Sequence, residues 1–524
     1  MATVLPPPSK RQRLEAEERS REQQETETIP ADAGSVRIQF FDEITGQPIG
    51  QGPVLVPVAD ANPKNLELLI NTLQGHAIQK DSSEYLPYRF TLPVPEKVSS
   101  KNLITTAFPS NLYKSLILPG LVSTEEIQNV SAAPQAVFRV QAVSRCSASI
   151  PGHGEAILAT QFSPRSSSRM VSGSGDNTAR IWDCDTGTPV HTLKGHTSWV
   201  LAVSWSPDES RIATGSMDNT VRMWDPKTGK QVGNTMKGHS KWVTSLAWEP
   251  YHAQKPGEPR LASSSKDCTV RIWSMNQQKI DMVLSGHKGS VTCVKWGGRG
   301  IIYSASQDKT LRGWNAADGT LVHTLSSHAH WVNHLALSTD FVLRTAYHDH
   351  TGKIPSTDEE KRARAKERFL KAATIQGEIV ERVVSASDDF TMYLWDPSKS
   401  TKPVSRMLGH QKQVNHVTFS ADGLLIASSG FDNHTKLWNA RDGKFINTLR
   451  GHVAPVYQCA FSPDSRLLVT CSKDTTLKVW DMRTHKLAMD LPGHQDEVYA
   501  VDWSPDGEKV GSGGKDKAVR VWRH

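Results

Sequence analysis

The sequence has no long apolar run and few cysteines. No apolar stretch approaches the about eighteen residues needed to cross a bilayer, and the first residues are charged and rich in proline. We therefore expect neither a membrane span nor a signal peptide. The six cysteines include no CxxC pair, which favours buried thiols in a reducing compartment over a disulfide or zinc framework. They are Cys146, Cys184, Cys268, Cys293, Cys459 and Cys471. The composition predicts a soluble intracellular protein.

Motifs for nucleotide chemistry are missing as well. No Gly-Lys pair has another glycine five places before its own glycine, so the chain lacks a phosphate-binding loop. The segment Gly173-Ser174-Gly175 lacks the third glycine of a dinucleotide fingerprint. The net charge of +7 is mildly basic and favours acidic or nucleic-acid-rich surroundings. These features argue against an enzyme with a cofactor of its own.

The chain does contain a unit of about forty residues that recurs along most of its length. A typical copy, Gly409 to Asn439, opens with Gly-His, contains two alternating apolar runs and closes at a Trp. Each copy has an Asp six residues before the Trp and a Ser or Thr four residues before the Asp. The eight sets are His153, Ser172, Asp176, Trp182; His196, Thr214, Asp218, Trp224; His239, Ser263, Asp267, Trp273; His287, Ser304, Asp308, Trp314; His328, Ser385, Asp389, Trp395; His410, Ser428, Asp432, Trp438; His452, Thr470, Asp474, Trp480; and His494, Ser512, Asp516, Trp522.

These residue types can satisfy one another in a buried network. A buried carboxylate is costly unless it is hydrogen-bonded. The His can donate an N–H to the Asp, and the hydroxyl can bridge to the indole N–H of the Trp. We interpret the sets as structural, because a catalytic triad needs one oriented set beside an oxyanion hole and a nucleophile in every repeat has no chemical purpose.

The repeats resemble WD40 repeats, and the network resembles the structural tetrad of that family. The resemblance implies a mainly β fold, an eight-bladed propeller over residues 144–524 that the segment Ser144–Ile150 closes by pairing in the last blade. The fifth blade carries a large insertion at about 340–382, in which residues 356–360 offer a capping box before a charged helix, Lys361–Ala373. This insertion is either a binding element or a solvated excursion.

Two regions precede the repeats. Residues 1–34 are predicted to be a disordered polar arm; its cluster Lys10, Arg11 and Arg13 is a nuclear import signal, a phosphate-contacting arm or a solvated charge run. Residues 35–143 are predicted to form a small α+β domain with the element order of a ubiquitin-like roll. Its predicted elements are strands Ser35–Asp42 and Val54–Val58, a helix from Asn62, strand Tyr88–Leu92, a short helix Leu112–Ile117 and strand Ala136–Gln141.

Two sets of propeller residues are candidates for partner binding. Trp199, Trp242 and Trp331 each lie three residues after a repeat His. They are either exposed anchors for a partner or packing between blades. A second set, the lysines that directly precede a tetrad Asp at a turn, is expected to be free for acidic partners. These lysines are Lys266, Lys473 and Lys515.

Beyond the repeats themselves, Leu5–Arg13, Ser167–His196, Ser327–Asp340 and the end of the chain resemble the Notchless family. The resemblance implies a non-catalytic factor for assembly of the large (60S) ribosomal subunit, located in the nucleolus and nucleoplasm of the nucleus. It implies that the propeller holds the protein, as a monomer, on pre-60S ribosomal proteins and ribosomal RNA, with no membrane partner. The front domain would bind the metal-ion-dependent adhesion site of midasin, a AAA-type ATPase whose force remodels the particle.

The same resemblance assigns one metal-contacting residue. The Mg²⁺ of an adhesion site has an open position and prefers a carboxylate oxygen. The family's acid, in a Ser-Thr-Glu motif, maps onto Glu125, and Glu126 is its rival. The chain would thus contact Mg²⁺ held by its partner. Without the resemblance, both residues are ordinary loop acids.

Two other functions stay open. The ubiquitin-like domain could dock a ligase while the propeller presents a substrate, and co-purification with ligases would favour such an adaptor. The family name also points to a Notch-signalling scaffold. Loss of receptor signalling without ribosome defects would favour that alternative.

Overall fold

The computed structural model describes residues 34–43, 46–74, 86–96, 99–107, 112, 117, 127–136, 138–349, 352–375 and 377–524. The chain divides into two units, the second of which begins at Phe138. Residues 138–143, which we had assigned to the front domain, belong to the second unit because Val140 and Val143 are buried in its core. Among the described residues, no helix is long and apolar enough to cross a membrane.

The first unit is a five-stranded sheet with a helix. Its strands are β1 (Ser35–Asp42), β2 (Pro48–Pro57), β3 (Tyr88–Glu96), β4 (Ser99–Ala107) and β5 (Gln128–Pro134). The strand order is β2-β1-β5-β3-β4, with β1 parallel to β5, as in a ubiquitin-like roll. Helix α1 (Pro63–Leu73) follows a 3-10 turn and packs Leu66 and Ile70 into the core. It begins after Asn62, whose side chain accepts the backbone N–H of Asn65 at 2.9 Å.

Two predictions for this unit were wrong. The last strand is β5, where Val130 and Ala132 are buried in the core, and residues 138–141 form no strand. The apolar side chain of Val140, which suggested a strand there, packs in the propeller instead. Strand β4 was not predicted. Of the predicted short helix at 112–117, the structure describes only Leu112 and Ile117.

The second unit is built from eight four-stranded antiparallel sheets, the blades. Blades 1 to 4 are preceded by β6 (Arg145–Pro151). They comprise β7 (Ile157–Phe162), β8 (Arg169–Ser174), β9 (Thr178–Asp183) and β10 (Thr188–Lys194); β11 (Val200–Trp205), β12 (Ile212–Ser216), β13 (Thr220–Trp224) and β14 (Met236–Lys237); β15 (Val243–Trp248), β16 (Arg260–Ser265), β17 (Thr269–Ser274) and β18 (Lys279–Ser285); and β19 (Val291–Trp296), β20 (Ile301–Ser306), β21 (Thr310–Asn315) and β22 (Leu321–Ser326).

Blade 5 contains the large insertion. Between β23 (Val332–Leu337) and β26 (Val383–Ser387) lie helix α2 (Asp340–Thr345), helix α3 (Asp358–Ala373) and a hairpin of β24 (Thr374–Ile375) and β25 (Glu378–Ile379); β27 (Met392–Trp395) and β28 (Ser405–Met407) complete the blade. The predicted capping box is formed by Thr357 and Glu360, so α3 begins three residues before the predicted Lys361.

Blades 6 to 8 return to the regular pattern. They comprise β29 (Val414–Phe419), β30 (Leu425–Gly430), β31 (Thr435–Asn439) and β32 (Phe445–Leu449); β33 (Val456–Phe461), β34 (Leu467–Ser472), β35 (Thr476–Asp481) and β36 (Lys486–Pro492); and β37 (Val498–Trp503), β38 (Lys509–Gly514) and β39 (Ala518–Arg523).

The ring closes through β6, which is the outer strand of blade 8. It pairs antiparallel with β39, so that Ile150 lies opposite Val519 and Ala148 opposite Val521. The innermost strands of neighbouring blades lie side by side, and β37 of blade 8 lies beside β7 of blade 1. The predicted closing strand is thus formed, one residue later at each end. Closure removes the exposed sheet edges that invite aggregation.

The hydrophobic core lies between neighbouring blades. Blades 5 and 6, for example, share a cluster that contains Leu394 and Met407 of one blade and Val417 and Ile426 of the other. Because each blade covers its neighbour, all six residues of β30 are buried. The inner strands are therefore closed to partners, and the accessible parts of a blade are its outer strand and the loops and turns at the two ends of the ring.

Candidate binding surfaces of the propeller

Each blade contains a hydrogen-bonded chain of four side chains, and blade 6 illustrates its geometry. The indole N–H of Trp438 donates to the Ser428 hydroxyl at 2.9 Å, and Nε2 of His410 lies 2.8 Å from the same hydroxyl. Nδ1 of His410 is 2.9 Å from a carboxylate oxygen of Asp432. The proton of the neutral ring therefore lies on Nδ1, which leaves Nε2 to accept the hydroxyl proton.

The network forms in all eight blades. The His Nδ1 to Asp distance is 2.7–3.0 Å. The indole nitrogen lies 2.7–3.0 Å from the hydroxyl oxygen. Every one of these hydroxyl residues is fully buried. No substrate can reach such a hydroxyl, so the structure supports a structural role for the sets.

The network has a fifth member that was not predicted. In six blades the second oxygen of the Asp accepts a hydrogen bond from a Thr hydroxyl two residues later, at 2.6–2.7 Å. These residues are Thr178, Thr220, Thr269, Thr310, Thr391 and Thr476. The Asp-x-Thr spacing was visible in the sequence and could have revealed them.

The hydrogen bonds keep the tetrad carboxylates ionised. Burial acts to raise the pKa of Asp432, but hydrogen bonds from His410 and from the backbone N–H groups of Gln411 and His434 outweigh it and hold the pKa at about 2. Asp176 in blade 1 likewise has a pKa of about 2. Burial lowers the pKa of His410, so its ring is neutral at pH 7.

The loops after the tetrad His and the turns that carry the tetrad Asp form one end of the ring, which we call the tetrad face. Trp199, Trp242 and Trp331 lie there with 50%, 40% and 45% of their surface exposed. Trp199 of blade 2 also lies against Gly175 of blade 1, since a Cβ added to this glycine would lie only 3.5 Å from the Trp199 ring. Trp199 is thus both exposed and in contact with the neighbouring blade, and a role in anchoring a partner stays a prediction for all three tryptophans. The Nζ of Lys266 lies 4.3 Å from the ring centre of Trp242.

Each of these tryptophans is held by its own blade. Its backbone carbonyl accepts a hydrogen bond, at 2.9 Å, from the N–H of the residue that precedes the tetrad Asp. The tetrad fixes that turn, so the backbone beneath each exposed ring is fixed as well. The rings are therefore preorganised for contact.

Two of the three candidate lysines are not free, contrary to our prediction. The Nζ of Lys473 lies 3.4 Å from Glu497, and the Nζ of Lys515 lies 3.3 Å from Asp496. Both acids belong to the loop after the tetrad His of blade 8, which lies beside these two turns. A turn lysine is thus free only where the adjacent loop lacks a carboxylate.

The large insertion begins at the opposite end of the ring, which we call the insertion face. The Asp340 carboxylate at the start of α2 lies 3.1 Å from the Nζ of Lys295 in blade 4. Arg344 donates to Asp502 at 2.7 Å and to the carbonyl of Trp503 at 3.1 Å, both in blade 8. Helix α2 therefore links two blades across the ring opening. Nothing in the sequence pattern indicated these pairs.

Helix α3 packs on the same face. The ring of Phe369 stacks on His252 with their centres 4.8 Å apart, and Tyr347 meets Tyr251 edge-on at 5.0 Å. Arg368 donates to backbone carbonyls that follow α2. Burial lowers the pKa of Arg368 to about 10. The insertion is thus a packed element rather than a solvated excursion.

Between the two faces the inner strands enclose a cavity of roughly 460 Å³ that α2 helps to line. Two histidines of the inner strands, His334 and His416, pack there with ring centres 4.2 Å apart. Burial lowers the pKa of His334 to about 3, so both charges are absent at pH 7. Within the described part of the chain, no group of three or more His, Cys, Asp or Glu residues could hold a metal ion.

The remaining predicted site residues lie outside the described residues. They are Glu125 and Glu126 of the front domain, and Lys10, Arg11 and Arg13 of the polar arm. Their assignments therefore stay predictions.

Comparisons with known proteins identify the repeats. The model of the WD domain, G-beta repeat, matches residues 144–183, 187–225, 230–274, 278–315, 401–439, 443–481 and 485–523. These seven matches omit blade 5, whose first two strands are separated by the insertion. Blade 5 is therefore seen in the structure but not in the matches to the repeat model.

Similarity extends along most of the chain. Ribosome assembly protein 4 of Chaetomium thermophilum is 61% identical over 449 residues, which cover 85% of this chain and 85% of that protein. Ribosome assembly protein 4 of Saccharomyces cerevisiae is 56% identical over 450 residues, covering 86% and 85%. The Notchless protein homolog of Arabidopsis thaliana is 48% identical over 386 residues, covering 74% and 76%.

Proposed function

Because the chain belongs to the family of ribosome assembly protein 4 and Notchless, which are WD40-repeat proteins, we propose that it is a non-catalytic assembly factor of the large ribosomal subunit. The observation that carries this proposal is 61% identity spread over 85% of the chain. We further propose that it acts in the nucleolus and nucleoplasm. The use of every repeated His and Asp in a buried tetrad supports a scaffold without its own catalysis.

The two units would divide the work. The propeller would hold the protein on pre-60S particles, since its loops and turns provide two accessible faces on a closed ring. The front unit would contact the Mg²⁺ of the adhesion site of midasin, so that force from the ATPase reaches the particle. We assign the donated carboxylate to Glu125, which lies three residues before β5 in the sequence. A carboxylate oxygen is the hard ligand that Mg²⁺ prefers.

The Glu125 assignment is tested by binding to the purified adhesion domain of midasin in Mg²⁺ and in EDTA. We expect Glu125→Ala to abolish Mg²⁺-dependent binding. Glu125→Asp should bind poorly, because the shorter side chain misses the near-ideal geometry that Mg²⁺ demands. Glu126→Ala is the matched control and should bind like the wild type. Undiminished binding by both Glu125 variants would refute the assignment, and loss only in Glu126→Ala would move the contact to Glu126.

The wider proposal is tested by purifying the tagged full chain from cells and separating its complexes by sedimentation. We expect precursors of the large subunit to sediment with it. Co-purification with ubiquitin ligases or membrane receptors, in the absence of such precursors, would contradict the proposal and favour an adaptor or a signalling scaffold.

A further inference from the structure

We propose that the tetrad face of blades 2 to 5 binds single-stranded RNA. The inference rests on the proposed function, since it names a class of partner for the propeller. The surface, which we call the aromatic arc, consists of Trp199, Trp242 and Trp331 together with Lys241, Lys266, Lys288 and Lys309. All four lysines are exposed.

The charges of the tetrad face are divided between two sides. In blades 3 and 4 the loops and turns at 238–242, 266–268, 286–290 and 307–309 hold four lysines, and their only acids are the tetrad Asp267 and Asp308. On the side of blades 7, 8 and 1, each turn lysine is instead paired with a carboxylate. The pairs are Lys473–Glu497, Lys515–Asp496 and Lys517–Glu155. The arc is therefore the side that attracts a polyanion.

The aromatic side chains occupy that same side. The position three residues after the tetrad His holds Trp in blades 2, 3 and 5. In the other blades it holds Ala156, Ser290, Gln413, Pro455 and Glu497. Exposed rings and unpaired lysines thus coincide in blade 3, while blades 2 and 5 add rings and blade 4 adds lysines. Blade 5 also carries one acid outside the tetrad, Asp388, which lies 3.7 Å from His330. The acidic side has neither exposed rings at this position nor unpaired turn lysines.

This combination fits single-stranded RNA better than an acidic peptide. Bases stack on exposed aromatic rings while lysines follow the phosphates, and the contact tolerates many sequences because every base has a π-face. A peptide anchor instead needs a pocket that excludes water, and these rings leave 40–50% of their surface in solvent. The ammonium of Lys266 lies over one face of the Trp242 ring, 4.3 Å from its centre, so a base would stack on the opposite face.

The test measures binding of the full-length protein to a fluorescein-labelled, mixed-sequence, single-stranded 12-mer RNA by anisotropy. Each of Trp199→Ala, Trp242→Ala and Trp331→Ala is expected to lower affinity about 5- to 150-fold, the range for loss of one base–aromatic stack. Lys241→Ala and Lys288→Ala should each flatten the plot of log affinity against log salt by about 0.7. A binding constant that none of the Trp variants changes would overturn the inference.

Matched controls come from elsewhere on the ring. Val453 is an apolar residue 82% exposed on the acidic side of the tetrad face, and Val453→Ala should leave RNA affinity unchanged. Lys279, at the start of β18 and away from the tetrad face, is exposed, so Lys279→Ala should keep the wild-type salt slope. Equal losses in these controls and in the arc variants would contradict a localised surface. Thermal melting checks that every variant is folded.

A labelled 12-residue poly-glutamate peptide tests whether the arc binds an acidic peptide instead of RNA. Peptide binding that depends on Lys241 and Lys288 but not on the tryptophans, with weak RNA binding, would overturn the assignment to RNA. The proposed function is judged separately by sedimentation. RNA binding that needs the arc supports the inference even if the protein fails to sediment with large-subunit precursors. Sedimentation with these precursors but without RNA binding contradicts the inference and leaves the proposed function standing.

Discussion

The two ends of the propeller are held in different ways. The tetrad face depends on one hydrogen-bonded network repeated in eight blades, whose members lie within each blade. The insertion face depends on single contacts between distant parts of the chain, such as Arg344 with Asp502. A repeated local network makes the tetrad face a uniform platform on which loop residues can vary. The insertion face has one unique cover whose loss the other blades cannot replace.

Acid should produce the largest effect, because it titrates all the tetrads together. The pKa of Asp176 and Asp432 is lowered to about 2, so their contribution is complete above the unfolded value of about 3.9 and is lost as pH falls toward 2. Burial lowers the pKa of His153 and His410 too, so their contribution to stability also declines below about pH 6.5. We expect denaturant midpoints to fall from pH 7 to pH 4, and further by pH 3. A constant midpoint would contradict this account.

A single tetrad substitution should have the next largest effect. Ser428→Ala leaves the indole N–H of Trp438 and Nε2 of His410 without partners, at a cost of about 1–3 kcal/mol for each buried group. We expect a lower denaturant midpoint at unchanged slope. Ser429→Ala is the matched control, since this neighbour is equally buried and its hydroxyl has at most a weak contact with Cys459. Equal losses in the two variants would contradict the importance of the tetrad.

Arg344→Ala should loosen the insertion face without unfolding the ring. It removes two charge-assisted hydrogen bonds, each worth about 1.5–3 kcal/mol. We expect faster hydrogen exchange in α2 and α3, with little change in the blades. Arg344→Lys should restore the contact only in part, because one ammonium cannot replace the planar fork of the guanidinium. Exchange that accelerates equally in all blades would show that α2 supports the whole ring.

The smallest effect on stability is expected for Glu497→Gln. It breaks the ion pair with the half-exposed Lys473, and such surface pairs contribute about 0–1 kcal/mol. The amide oxygen of Gln can still accept the hydroxyl of Tyr457, which donates to the Glu497 carboxylate at 2.8 Å. The freed lysine should make the acidic side of the tetrad face less negative and raise affinity for the 12-mer RNA severalfold. A large loss of stability would instead reveal that this pair is structural, as would unfolding during purification.

The tetrad face could be predicted from the sequence because its partners keep fixed spacings. A Trp ten residues after its Ser or Thr lies diagonally across the neighbouring strand and donates to that hydroxyl, as Trp438 does to Ser428. Arg344 and Asp502 are 158 residues apart, and only closure of the ring brings them together. Strand β5 was missed for a different reason. Its small residues Ala132 and Ala133 give a weaker pattern than the apolar stretch at 136–141, whose Val140 packs in another unit.

The position of β6 determines how the ring would respond to tension. The chain that enters the propeller is anchored at Val140, whose N–H donates to Asp464 at 2.8 Å, and then becomes β6. A pull transmitted from the first unit would therefore load this anchor and the ladder with β39 before any other pair of strands. Peeling β6 away would open a single seam in blade 8 and leave the other blades intact. The seam between β6 and β39 is thus the first ladder along the path of an applied load.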